Sequence, residues 1–270
     1  MPNYVINNLK SFLIIILLLL IFSPVNAVMQ KIDYGKAIHG SIPTPGGVDT
    51  YTFSGQNGDV VDIRIIHSVG GNIWPQITLY GPSGTEIKRV NGPSNAEIIT
   101  NLTATGSYKI LVNDGFNGKY TGNYSLFVQR VNNPGNIKTL ELGTAQPGSI
   151  DNAGIVDTYT VFGKTGDVVN IRITHTEGGN IWPRITLFRP SGTEIKRVNG
   201  PSNAEITANL TETGTYTILV DDGFRGSYIG NYSLFVLQTS SSGADISATM
   251  GASIPTLTAC LLYTSDAADE

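Results

Sequence analysis

Two short turns carry the side chains best suited to hold a cation. Asn113-Asp114-Gly115 and, 108 residues later, Asp221-Asp222-Gly223 present carboxylate and amide oxygens together, the donor set that calcium takes. Asp-Gly turns also form without metal, and no regular calcium-loop spacing surrounds these. Two readings therefore stand: turns that require no cofactor, or calcium held by Asn113, Asp114, Asp221 and Asp222. His67 and His175 each end a strand-like run just before a Gly-Gly pair. A general base needs a nucleophile and an orienting acid within reach. No spacing supplies them, and the chain has neither the H-E-x-x-H nor the G-x-S-x-G pattern. The chain thus reads as a non-enzyme, with each histidine bonded to a loop carbonyl at the rim of a core. Trp74 and Trp182, each followed by a proline, are the remaining candidates. A loop tryptophan can stack on a sugar ring or anchor a partner; it can equally plug the open end of its own core. The plug is the reading favoured here, because a chain without disulfides needs its large apolar residues inside, and Trp74→Ala is then expected to cost about 3–5 kcal/mol. The competing reading makes Trp74 and Trp182 the platforms of a carbohydrate-binding module.

These candidates occur twice because the chain does. Residues 82–98 are letter for letter residues 190–206, and the offset holds outward without a gap: Gly35 matches Gly143, Tyr51 matches Tyr159, Trp74 matches Trp182 and Phe127 matches Phe235. A repeat of this length implies two tandem folding units of ordinary domain size, 28–131 and 139–238. Within each unit the apolar residues alternate, the period of a half-buried strand. Val61, Ile63 and Ile65 share one face, assigned to the core; Val60, Asp62, Arg64 and Ile66 share the other, assigned to solvent. The second copy agrees, since Asp62 becomes Asn170 and Ile66 becomes Thr174. On this phase Ile65→Asp is costly and Ile66→Asp nearly neutral. The same alternation sends Ile77, Leu79, Ile98, Leu102, Tyr108, Ile110, Val112, Tyr124 and Leu126 inward. Glycine-rich turns separate the runs, and no apolar stripe at helical spacing follows Phe22. The fold class is all-β: tandem antiparallel, jelly-roll-like β-sandwich modules. Residues 132–136 read as a short linker, so the modules are expected to sit as beads, with Phe127 and Phe235 facing outward towards the linker or the neighbouring module.

The ends read differently. Lys10, the apolar run 12–22 and the small residues Val25-Asn26-Ala27 form a signal peptide over 1–27. The run is shorter than the about 20 apolar residues that a membrane span needs. The mature chain is therefore expected to have no transmembrane helix and to be secreted or displayed at the cell surface. Residues 246–259 read as the start of a third module, and residues 260–270, which hold the sole cysteine, resemble a translated sequencing adaptor. Charged residues make up 14% of the chain and the net charge is −4; with no basic run, nucleic acid is excluded as a partner. With no pair of cysteines there is no disulfide framework, so each module must stand on its apolar core.

With the strands in order, a resemblance emerges. Val48-Asp49-Thr50-Tyr51-Thr52-Phe53, the turn at 57–61, Ile77-Thr78-Leu79-Tyr80 running into 81–86, Thr105-Gly106-Ser107-Tyr108 and Gly122-Asn123-Tyr124-Ser125-Leu126 resemble the pre-peptidase C-terminal domain family. The resemblance covers 32–130 and 140–238. It implies non-catalytic β-sandwich modules of the kind attached to secreted bacterial and archaeal peptidases and other surface proteins. The chain is then expected to be an exported array serving adhesion, substrate attachment or spacing in a larger extracellular protein. Its partner would be an extracellular protein or polysaccharide surface. One loop departs from the family's usual pattern: residues 70–75 carry Trp74 where acidic residues are more common.

Overall fold

The computed structural model describes residues 29–240; the leader, the third-module start and the adaptor-like tail read from the sequence lie outside them. Strands β1 (Gln30–Lys31), β2 (Lys36–Ile42), β3 (Val48–Gly55), β4 (Val60–Gly71), β5 (Pro75–Tyr80), β6 (Glu86–Asn91), β7 (Asn95–Asn101), β8 (Gly106–Asp114) and β9 (Gly122–Arg130) build the first module. The second repeats the plan with β10 (Gln146–Ile150), β11 (Asp157–Gly163), β12 (Val168–Gly179), β13 (Pro183–Phe188), β14 (Glu194–Asn199), β15 (Asn203–Asn209), β16 (Gly214–Asp222) and β17 (Gly230–Thr239). The described residues contain no helix. Module 1 pairs a sheet of order β1-β3-β8-β5-β6 with one of order β2-β9-β4-β7; module 2 pairs β11-β16-β13-β14 with β10-β17-β12-β15. Neighbouring strands are antiparallel except the short β1, which runs parallel to β3.

Alternation drives each sandwich shut. Val61, Ile63 and Ile65 of β4 are fully buried and meet Ile77, Leu79, Ile110 and Val112 of the opposing sheet in one cluster, and the second module repeats this with Val169, Ile171, Ile173, Ile185, Leu187, Ile218 and Val220. Burying a large aliphatic side chain contributes roughly 1.5–3 kcal/mol, so these rows account for the module without disulfides. The tyrosine hydroxyls inside are paired, as burial requires. The Tyr124 hydroxyl donates to Asp49 Oδ2 (2.5 Å) and meets the Tyr51 hydroxyl at 2.7 Å; Tyr232, Asp157 and Tyr159 repeat the chain in module 2. Gly40 stands where it does because a Cβ there would lie 2.3 Å from the Tyr124 ring.

The face of β4 assigned to solvent is covered in module 1. Asp62, Arg64 and Ile66 are 0, 3 and 5% exposed, whereas their counterparts Arg172 and Thr174 are exposed and Asn170 is half-buried. Module 2 is the cause. Phe127 and Val131 of module 1 join Val156, Phe188 and Leu219 of module 2 in a third buried cluster, bordered by Val60 and Ile99. The approach is tight: a Cβ on Gly226 would fall 2.1 Å from Cδ1 of Ile66. The connecting residues are tied in as well. Gln129 Nε2 donates to the Gly135 carbonyl (2.8 Å) and to Thr158 Oγ1 (3.0 Å), and Ser125 Oγ donates to the Ala153 carbonyl (2.7 Å). The expectation of independent beads is thus corrected. So is the near-neutral Ile66→Asp, which would bury a carboxylate at the contact between the modules.

Candidate functional site

Each module exposes a cluster of three aromatic rings at one end. In module 1, Trp74 enters from the loop between β4 and β5, and Phe116 and Tyr120 from the loop between β8 and β9. The Trp74 and Phe116 rings lie 5.1 Å apart, and Phe116 stacks on Tyr120 at 5.5 Å. Trp182, Phe224 and Tyr228 repeat the arrangement at 5.2 and 5.1 Å. Trp74 and Trp182 are half-buried, while Phe116, Tyr120, Phe224 and Tyr228 are 36–39% exposed. The tryptophans are therefore not core plugs. That place is taken by Ile73 and Ile181, which are buried and belong to the two module cores. The sequence reading missed the phenylalanine and tyrosine partners. Their signal was the matched spacing of Phe116 and Tyr120 with Phe224 and Tyr228, on turns whose tips, Asn117 and Arg225, share a left-handed backbone (φ 58° and 62°).

Asp114 and Asp222 build this site. The Trp74 amide donates to Asp114 Oδ1 (2.9 Å) and the Tyr120 amide to Oδ2 (3.2 Å), so one buried carboxylate fastens both aromatic loops. Asp222 holds Trp182 and Tyr228 in the same way (2.9 and 3.1 Å). Burial pushes the Asp222 carboxyl up, against the opposing pull of the Trp182 and Tyr228 amides. The loops are closed further by Gly115 donating to the Trp74 carbonyl (2.7 Å) and Asn72 to the Thr121 carbonyl (2.8 Å). Asn113 Oδ1 accepts from Gln76 Nε2 (3.0 Å). The residues read as calcium ligands are thus engaged by N–H donors. Among the described residues no three His, Cys, Asp or Glu side chains gather as a metal site. His67 Nε2 lies 3.2 Å from the Gly70 carbonyl oxygen and His175 Nε2 3.4 Å from that of Gly178, the loop contact expected from the sequence.

Asp221 does different work. Its carboxylate accepts from Arg184 (2.7 and 2.5 Å) and, across the module boundary, from Arg64 Nη1 (2.5 Å). Arg64 also meets Asp62 (2.7 Å) and Glu97 (2.9 Å), and Arg197 of module 2 grips Glu97 with both terminal nitrogens (2.8 and 3.0 Å). Burial disfavours the Arg64 charge, but Asp62, Asp221 and Glu97 outweigh it and hold the guanidinium protonated. Burial likewise opposes ionisation of Glu97, yet the charge of Arg64 and the bonds from Arg197 bring its carboxyl down to about 2. Asp62 goes the other way: burial dominates and lifts it to about 6. The junction is an ion network flanked by the Phe127–Phe188 cluster.

The family match agrees with the two-module repeat. The family profile described as "Bacterial pre-peptidase C-terminal domain" matches residues 47–114 and 155–222. Among solved structures, the chain is similar to the pre-peptidase C-terminal domain of collagenase from Bacillus anthracis, at 24% identity over 37% of this chain and 94% of that one, with a TM-score of 0.30. It is also similar to PliG from Aeromonas hydrophila, a periplasmic inhibitor of g-type lysozyme, at 18% identity over 38% of this chain and 93% of that one, with a TM-score of 0.29. No curated protein matches the sequence.

Proposed function

The chain belongs to the bacterial pre-peptidase C-terminal domain family, and from that premise we propose that it is a non-catalytic attachment module of a secreted or cell-surface protein. The observation that carries this reading is the pair of aromatic clusters. Six rings stand on loops at equivalent ends of two modules, four of them more than a third exposed. Phe116 and Tyr120 contribute little to their own core from there, whereas rigid, partly exposed aromatic side chains anchor partners at low entropic cost. Asp114 and Asp222, bonded to the loop backbones, keep the rings in place before a partner arrives.

The test is retention on insoluble extracellular material. The parent chain and a Phe116→Ala/Phe224→Ala variant would be mixed with cellulose, chitin, peptidoglycan and fibrous protein, and the bound fraction measured. The parent should be retained on at least one of these and the variant lost from it, with an unchanged melting temperature. Equal retention of both proteins would sink the proposal. Clustered Trp74, Phe116 and Tyr120 rings also suit the face of a sugar, which supports a carbohydrate-binding module using Trp74 and Trp182 as the second reading. Release of the bound chain by soluble oligosaccharide would select that reading over a protein surface.

A further inference from the structure

The contact between the modules is head-to-tail. Module 1 contributes the outer face of its β2-β9-β4-β7 sheet and module 2 the outer face of β11-β16-β13-β14, so each surface uses only one of its two copies. Among the described residues nothing covers the other copies: the outer face of β10-β17-β12-β15 on module 2, and that of β3-β8-β5-β6 on module 1. We propose that these two free faces bind each other between chains, so that a second copy of this protein docks head-to-tail through a repetition of the internal contact.

The residues support the match at part of the interface. Of the interface cluster Phe127, Val60, Val156, Leu219 and Phe188, the free faces keep Phe235 and Val168 on one side and Val48, Leu111 and Tyr80 on the other. Of the two ion pairs that span the junction, Arg64 with Asp221 and Arg197 with Glu97, the second is kept too. Arg197, which grips Glu97, is steadied by Glu194 of its own strand (2.8 Å); its counterpart Arg89 is steadied by Glu86 in the same way (2.6 Å) and is half exposed. Glu97 meets Arg64; its counterpart Glu205 meets Arg172 (3.3 Å) and is 45% exposed. One free face therefore presents a prepositioned carboxylate and the other a prepositioned guanidinium, in the places where Glu97 and Arg197 join. The turns are ready as well: Gly154 and Gly192 lie against side chains of module 1, while no atom outside the turn lies within 4 Å of the Cβ positions of their counterparts Gly46 and Gly84. The contact between chains is weaker than the internal one, because Ile66, Ile99 and Val131 are replaced by Thr174, Thr207 and Thr239, and Asp221 by Asn113. It also lacks the tether that gives the internal contact its effective concentration. A heterologous contact of this kind builds a ring where its rotation closes and an open chain where it does not.

Sedimentation velocity over a wide range of protein concentration tests this. The parent should show a sedimentation coefficient that rises with concentration. Arg89→Glu and Glu205→Arg, each at an exposed position outside the internal junction, should each weaken association by at least about tenfold. The double variant Arg89→Glu/Glu205→Arg, which restores opposite charges between chains, should recover it. A parent that stays monomeric to millimolar concentration, association that survives either single reversal, or a double variant that fails to recover would each overturn the proposal.

Discussion

Asp62 is fully buried and keeps Oδ1 without a hydrogen-bond donor, although Arg64 bonds to its other oxygen. A buried carboxylate with one unsatisfied oxygen prefers its proton, which is why burial lifts Asp62 to about 6 from an ordinary 3.8. Between those values the folded chain binds more protons than the unfolded one, so stability from this group rises as pH falls through 6. Burial acts on Asp222 with the same sign. Glu97 has the opposite sign: its carboxyl is held near 2 against an ordinary 4.5, so its contribution is complete above 4.5 and is lost as pH falls towards 2. The melting temperature is therefore expected to climb from about pH 7 to about pH 4.5 and to drop below that. Asp62→Asn, the residue already present at Asn170, should raise the melting temperature at pH 7 and flatten the upper limb. A parent that loses stability steadily from pH 7 downward would show that Asp62 stays ionised in the fold.

The loops that carry the aromatic rings were half legible. Repetition and the Asp-Gly pair marked where they turn, and alternation placed Ile77, Leu79, Tyr108, Ile110 and Val112 inward, all of them buried as read. What the sequence could not give was the direction of the Asp114 and Asp222 carboxylates. A carboxylate on a turn suits a cation and a pair of backbone amides equally, and only the closeness of the neighbouring loop decides between them. The amides of Trp74 and Tyr120 are what Asp114 meets. Trp74 was misread for a related reason: a strand-entry loop offers one position to the core, and the smaller Ile73 fills it. With these oxygens bonded to donors, millimolar calcium and excess chelator should give the same melting temperature within about 1 °C. A ligand present at a hundred times its dissociation constant would instead add about 2.7 kcal/mol, a shift of several degrees. Such a shift would show calcium displacing the amides.

At the scale of the whole molecule, the repeat that made the two modules obvious hid the surface between them. Identical periodicity gives both copies the same outward face, and only the differences between copies record that one of them is covered. Ile66, Ile99 and Val131 are apolar where Thr174, Thr207 and Thr239 are polar, the imprint of a face buried once. Phe127 and Phe235 carry no such mark, since the same residue is 1% exposed in module 1 and only half-buried in module 2. This makes Phe127 the sharpest probe of the junction. It belongs to neither module core and packs instead with Phe188, Leu219 and Val156 of the neighbour. Phe127→Ala in the two-module chain should cost about 3–5 kcal/mol by leaving a cavity there, and should separate one cooperative melting transition into two. In residues 29–131 alone, where no neighbour covers the ring, the same substitution should change stability by less than about 0.5 kcal/mol. Equal losses in the two proteins would mean that Phe127 stabilises module 1 from within, and that the modules melt without help from each other.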